Sequence, residues 1–236
     1  MKLGIMQPYF LPYLGYFSLI KQTDKFILFD TVQFIKHGWI ERNRILKPQS
    51  GWQYIAVPLV KHDRDTKIRD VKIKNSSDWK NKIFAQLEHY KKRAPFYNDT
   101  INTLRNALDI ETDSIVELNE HILKVICSYI DIEFNVEIFS QMNLEIQEVN
   151  APDEWALNIC KAIDNVDEYW NPEGGLEFFN PEKYEKEQIN IKFLKMNLQR
   201  YPQRRLEFEA GLSIIDVMMF NEPSKINAML DDYQLL

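Results

Sequence analysis

The sequence predicts an α/β protein built on a mainly parallel sheet, on three observations. A short apolar strand, Lys2–Met6, is followed by a helix-forming stretch, Gly15–Gln22, and then by the compact apolar run Lys25–Asp30. Strand, short helix and strand at this spacing form a βαβ unit, which requires parallel strands. The same rhythm returns near the C-terminus, with a helix over Asp153–Ile163 and strands over Glu168–Trp170 and Ile189–Leu194. Between the two lies a helical stretch of about Asp78–Tyr129. The expectation is a Rossmann-like core in one domain, residues 1–236, with a helical insertion at about 78–130.

Each element follows from its own pattern. In the first helix Tyr16, Phe17, Leu19 and Ile20 fall on an inward face. Ile40–Leu46 and Trp52–Leu59 read as strands around a Pro-Gln-Ser-Gly turn, and Ile68–Ile73 alternates like a half-buried strand. The helices of the middle are Asp78–Lys92, Phe96–Leu108 and Ser114–Tyr129. Ser77 or Asp78 stands where a cap is needed, and Trp79, Ile83, Leu87 and Tyr90 repeat at helical spacing. A last helix, Leu212–Phe220, contains its capping residue Ser213.

Composition narrows the function classes. With 45% apolar and 13% aromatic residues in 236, the chain can bury a large core. It contains no apolar run long enough for a membrane-spanning helix. The start, MKLGIMQPYF, lacks a signal peptide's apolar region, so a cytoplasmic location is expected. The net charge of -6 gives no general attraction to nucleic acid or anionic membrane. Cys127 and Cys160 lie in apolar helical patterns, as buried reduced thiols do. The histidines, His37, His62, His89 and His121, lack metal-ligand spacing, so no metal site is expected. No motif assigns a cofactor.

The chemistry concentrates between Gln7 and Arg44. MQPYFLPYLGYF follows the first strand directly, where ligands of open α/β sheets bind. Gly15 opens the helix, whose first-turn N–H groups suit a phosphate. Tyr9, Phe10, Tyr13 and Tyr16 offer flat faces to a base or sugar ring, and Gln7 a hydrogen-bonding amide. Asp30 closes the second strand and is a candidate general base, with Gln33 and Lys36 in the loop after it. The run from Lys36 to Arg44 is the densest polar cluster in the chain. On a strand, Arg42 and Arg44 share one face and can fork onto one phosphate or carboxylate, with Asn43 opposite. Trp39 can stack on a ring, and His37 is the natural acid/base candidate. Two later features can join the site. Gly174 and Gly175 after a strand permit close backbone approach, and Tyr201-Pro202-Gln203 precedes a helix holding Asp216.

These blocks in this order, MQPYFLPYLGYF, DTVQF, HGWIERNRI, YPQ and LSIIDVMMFN, resemble the WbqC-like protein family across essentially the whole chain. The resemblance implies a bacterial cytoplasmic protein, with some relatives associated with O-antigen and other surface-polysaccharide gene clusters. The first loop is also similar to that of the nucleotidylyltransferase superfamily, whose HxGH motif would fall on Tyr13-Leu14-Gly15-Tyr16. The glycine is kept and both histidines are tyrosines. The functional expectation is a transferase adding an acyl or aminoacyl group to a nucleotide-linked or phosphorylated sugar. The alternatives are nucleotidyl transfer and non-catalytic ligand binding. The partner expected in each case is a small molecule rather than nucleic acid.

Overall fold

The computed structural model describes all residues from Met1 to Leu236. Its centre is a six-stranded sheet. β1 (Lys2–Met6) pairs in parallel with β2 (Lys25–Leu28) on one side and β6 (Glu168–Pro172) on the other. β5 (Val136–Ile138) extends the sheet beyond β2, and β7 (Asn190–Met196) extends it beyond β6, both in parallel. The antiparallel β8 (Tyr233–Leu235) ends it, giving the order β5-β2-β1-β6-β7-β8. The chain builds outward from β1 in one direction through β2 and in the other through β6. The switch point therefore lies between the carboxyl ends of β1 and β6, where open α/β sheets leave a crevice.

Both faces of the sheet are buried, which is why its strands read as continuous apolar runs. Leu3, Ile5, Ile27 and Tyr169 face a cluster with α5 (Glu154–Ala162) and with Tyr184 of α6 (Pro181–Lys186). Phe26, Leu28, Trp170 and Leu194 face the larger core of 49 residues, which includes α1 (Leu14–Gln22). That core also takes in α2 (Trp79–Leu87), α3 (Tyr97–Leu108) and α4 (Ile115–Tyr129), with α7 (Ile214–Phe220) and α8 (Pro223–Met229). The helical stretch between the strands is thus packed into the same core as α1. Ser114 caps α4 by accepting from the Glu117 N–H at 3.3 Å. Ser213 caps α7 in the same way through Ile215, also at 3.3 Å.

A separate antiparallel hairpin, β3 (Arg42–Leu46) with β4 (Trp52–Ala56), stands beside the first loop. Its core face carries Asn43, Ile45 and Ile55, all buried, and its other face Arg42, Arg44, Trp52 and Tyr54.

Three sequence expectations change. Ile68–Ile73 is not a strand: Ile68–Asp70 is a 3-10 turn. Its N–H groups are taken by the loop after β2, Ile68 donating to Val32 and Arg69 to Asp30, each at 2.9 Å. β2 stops at Leu28, leaving Asp30 two residues outside it. The short elements β5, α6, α8 and β8 have too little periodicity to be read from sequence, and packing creates them.

Candidate functional site: an aromatic and arginine cavity at the sheet switch point

The loop Gln7–Tyr13 leaves β1 at the switch point and is held by its carbonyls. Tyr16 donates its hydroxyl to Gln7 O at 2.8 Å, and Asn119 of α4 donates to Pro8 O at 2.8 Å and to Ile40 O at 2.9 Å. Asn43 donates to Phe10 O at 3.1 Å. Ser213 Oγ donates to Leu11 O at 2.7 Å, and Ile214 N to Pro12 O at 2.8 Å. Pro8 and Pro12 have no N–H to satisfy, and five carbonyls of the loop are held by donors from α1, α4, β3 and α7. Leu11 is held at φ 45°, a left-handed conformation unfavourable for a side chain of its kind.

This loop forms one wall of a cavity of about 250 Å³. Tyr9, Pro12 and Tyr13 come from the loop, Trp39 from the next connection, and Asn43 and Arg44 from β3. Leu198 and Gly211 close it from the C-terminal region. The volume is close to the small end of the range for ligand sites.

Arg44 is its centre. Its guanidinium stacks on Trp39 at 5.3 Å and on Trp52 at 5.2 Å, both measured to the ring centroid. Its Nη2 donates to Gly211 O at 3.1 Å, and its buried Nε–H has no acceptor. Cation–π contacts on two rings leave the in-plane edge of the guanidinium as the direction for an anionic or carbonyl acceptor. Arg42 shares the strand face with Arg44, as the spacing predicts, but does not join it. It stacks on Tyr54 at 4.0 Å and donates to the carbonyls of His37 and Gly38. The two guanidiniums are therefore committed to different places, and only Arg44 lines the cavity.

The two cavity phenols stay protonated at neutral pH. Burial raises Tyr9 above its usual 10.0. Burial first, then the charge of Glu173 and the neighbouring Tyr9, push Tyr13 up to about 12. Both are hydrogen-bond donors rather than bases. Tyr13 also folds over the first turn of α1. A Cβ built on Gly15 would stand 2.4 Å from the Tyr13 hydroxyl oxygen, so only glycine leaves room for the ring.

Five residues expected at the site line this one cavity: Tyr9, Tyr13, Trp39, Asn43 and Arg44. The others lie elsewhere. Tyr16 is fully buried in the core, and Gln7 contributes its backbone carbonyl to it. Asp30 is buried with both oxygens engaged by Ser140, from its N–H at 3.0 Å and its hydroxyl at 2.6 Å. Gln33 donates to Arg64 O at 2.7 Å, and Lys36 is exposed. His37 is exposed at φ 63°, its N–H donating to Glu41 at 2.8 Å and its imidazole making no hydrogen bond. Gly174 faces open space, whereas Gly175 is buried against the side chain of Asn171.

Gln203 and Asp216 form a buried network behind the cavity. Asp216 accepts from Tyr90 at 2.7 Å, Tyr201 at 2.7 Å and Gln203 at 2.8 Å. Burial raises its carboxyl above the usual value while these three donors pull it down. Gln203 also binds both backbone groups of Glu209, at 2.9 Å each. The network holds the segment that brings Gly211 to Arg44.

Pro12, Leu198 and Gly211 are the cavity residues that sequence reasoning missed. Gly211, directly before the Leu212-Ser213 cap and at φ 64°, carries the one legible signal: a glycine ahead of a helix.

Comparison with known proteins agrees with the sequence blocks. An uncharacterized protein of Mycobacterium tuberculosis is 28% identical over 235 residues, covering 98% of this chain and 96% of its own. No solved structure matches. The model of the WbqC-like protein family matches residues 7–228. With nearly its whole length so covered, the chain belongs to the WbqC-like protein family.

Proposed function

We propose that this protein is a transferase that adds an acyl or aminoacyl group to a nucleotide-linked or phosphorylated sugar in surface-polysaccharide assembly. The observation that carries the reading is the placement of the Arg44 cavity on the loop after β1, at the switch point of a parallel sheet. The strand order supports a Rossmann-like core. Tyr9, Tyr13 and Trp39 supply ring faces, and the Arg44 guanidinium a cationic partner for a phosphate or carboxylate oxygen. The family name, linked to O-antigen genes through the sequence resemblance, supports the pathway.

In this reading the amine or hydroxyl of the sugar attacks the acyl carbonyl of an activated donor. A C–N or C–O bond forms as the carbonyl's bond to the leaving group breaks, and the nucleophile's proton passes to a base. His37, two residues before Trp39 and with an unengaged imidazole, lies outside the cavity and is the proposed base for a nucleophile held at its Trp39 edge. Asp30 is the less suitable of the two candidates, because Ser140 occupies both its oxygens. Tyr13 over Gly15 weighs against nucleotidyl transfer, since its ring fills space beside the helix turn that a phosphate would use.

A second reading, ligand binding without catalysis, is favoured by one observation: no carboxylate or histidine lines the cavity. One experiment separates the two. The protein is incubated with amino-sugar nucleotides and activated acyl donors, and the products are weighed by mass spectrometry alongside calorimetric titration. An acyl mass added to the sugar supports the transferase. Binding without a mass change supports the second reading, and neither binding nor mass change removes both.

A further inference from the structure

Beside the Arg44 cavity lies a second, much smaller one of about 20 Å³. The two share Leu198 and Gly211 as walls. The remaining walls of the small slot are mostly apolar, with Leu14, Phe208, Leu212, Val217 and Met229 among them. Its polar side chains are already bound elsewhere. Tyr201 donates to Asp216 at 2.7 Å, and Gln199 donates its amide to Asp232. A water entering the slot would find few partners, and small cavities of this kind stay dry and accept apolar groups. A volume of about 20 Å³ holds one water-sized group, such as a methyl.

Gly211 stands at the junction. A Cβ built on it would lie 3.8 Å from Arg44 Nη2 and 3.8 Å from Leu198 Cδ1, between the guanidinium and the slot wall. Its φ of 64° excludes most side chains, so the backbone itself keeps that space clear.

We infer that the slot is the subsite for a short acyl substituent, so that the ligand carries a one- or two-carbon apolar group beside the oxygen or ring bound at Arg44. The inference rests on the nucleotide-sugar reading for its head group and deepens it by naming the acyl class. Longer acyl chains exceed the slot and are excluded by Phe208 and Val217. The subsite thus sets specificity by size, as hydrophobic pockets do one methylene at a time.

The test is calorimetric titration with the N-formyl, N-acetyl and N-butyryl derivatives of UDP-glucosamine. Burial of one methyl tightens binding roughly fourfold, so N-acetyl is expected to bind better than N-formyl and N-butyryl to lose that gain. Phe208→Leu enlarges the slot and should restore N-butyryl. Val217→Ile fills it and should abolish the N-acetyl advantage; the pair keeps the test valid should one variant fail to fold. Equal affinity for all three sugars, or an order unchanged in both variants, overturns the slot while leaving the nucleotide-sugar reading intact. If none binds, the head group is wrong, and the slot is judged by methyl NMR under xenon pressure. Shifts at Leu212 and Met229 that Val217→Ile removes retain it, and their absence overturns it.

Discussion

Arg44 Nη2 donates to the carbonyl of Gly211 at 3.1 Å, joining the first hairpin to a segment 167 residues further along the chain. The contact closes the cavity and fixes the guanidinium between Trp39 and Trp52. Lysine cannot reproduce it, because an ammonium has neither the plane nor the fork. Arg44→Lys is expected to keep the fold and lose most ligand affinity. Arg44→Ala should in addition cost about 1–2 kcal/mol, for two partly exposed cation–π contacts. Urea denaturation and calorimetry on the two variants check this; full affinity in Arg44→Lys would show that the guanidinium is only structural.

Gly15 and Tyr13 are predicted to be coupled. A methyl at Gly15 collides with the Tyr13 ring, 2.4 to 2.6 Å away. Gly15→Ala should destabilise by about 1–3 kcal/mol through overpacking and weaken ligand binding by displacing the ring. Tyr13→Ala removes the obstacle, so the double variant should show a smaller penalty at Gly15 than the single one. Additive effects in a double-mutant cycle would mean that the ring moves aside freely.

Asp216 is expected to be a large stability determinant. Its removal leaves the hydroxyls of Tyr90 and Tyr201 without their acceptor, while the amide of Gln203 loses one of its acceptors and keeps Glu209 O. Asp216→Ala should cost on the order of 3 kcal/mol or more, since each buried donor left unpaired costs roughly 1–3 kcal/mol. Tyr201→Phe, which removes one of the three donors, should cost less. Chemical denaturation of both variants measures the difference.

The same residue has a pH signature. Burial holds the Asp216 carboxyl above its ordinary value of 3.8 in the folded state. Between 3.8 and the raised folded value, the folded protein binds the proton that the unfolded chain has released. The contribution of this group to stability therefore falls as pH rises through that window, and is most favourable below it. Asp216→Asn cannot take up the proton, so its stability profile should lack this component. Parallel melts of wild type and variant across the acid range would show it; superimposable profiles would place the carboxyl at its ordinary value.

Much of the frame was legible because it is local. The runs LGIM, KFIL and IKFL are apolar on both sides of the pleat, as strands buried on both faces must be. Ser114 and Ser213 announce the starts of α4 and α7 because a cap acts within three residues. Strand alternation also placed Arg42 and Arg44 on one face and Asn43 on the other, as the hairpin register has them. Ile68–Ile73 misled because its alternation was only partial, and its N–H groups served Asp30 and Val32 instead of a ladder.

The cavity was legible in only one of its halves. By itself the sequence determined the βαβ start, the rigid Pro-rich loop and the aromatic and basic residues around it, since these depend on local geometry and on the spacing of apolar side chains. Only the tertiary structure decided which of those polar groups were free to meet a ligand. Arg42, Asp30 and Gln33 bond to His37, Ser140 and Arg64, whereas Arg44 lines the cavity. It also brought Leu198 and Gly211 to the cavity from the far end of the chain. The reason is that periodicity reports which face of an element is buried. The partner that satisfies a polar group comes from whichever distant segment packs against it, and spacing carries no record of that choice.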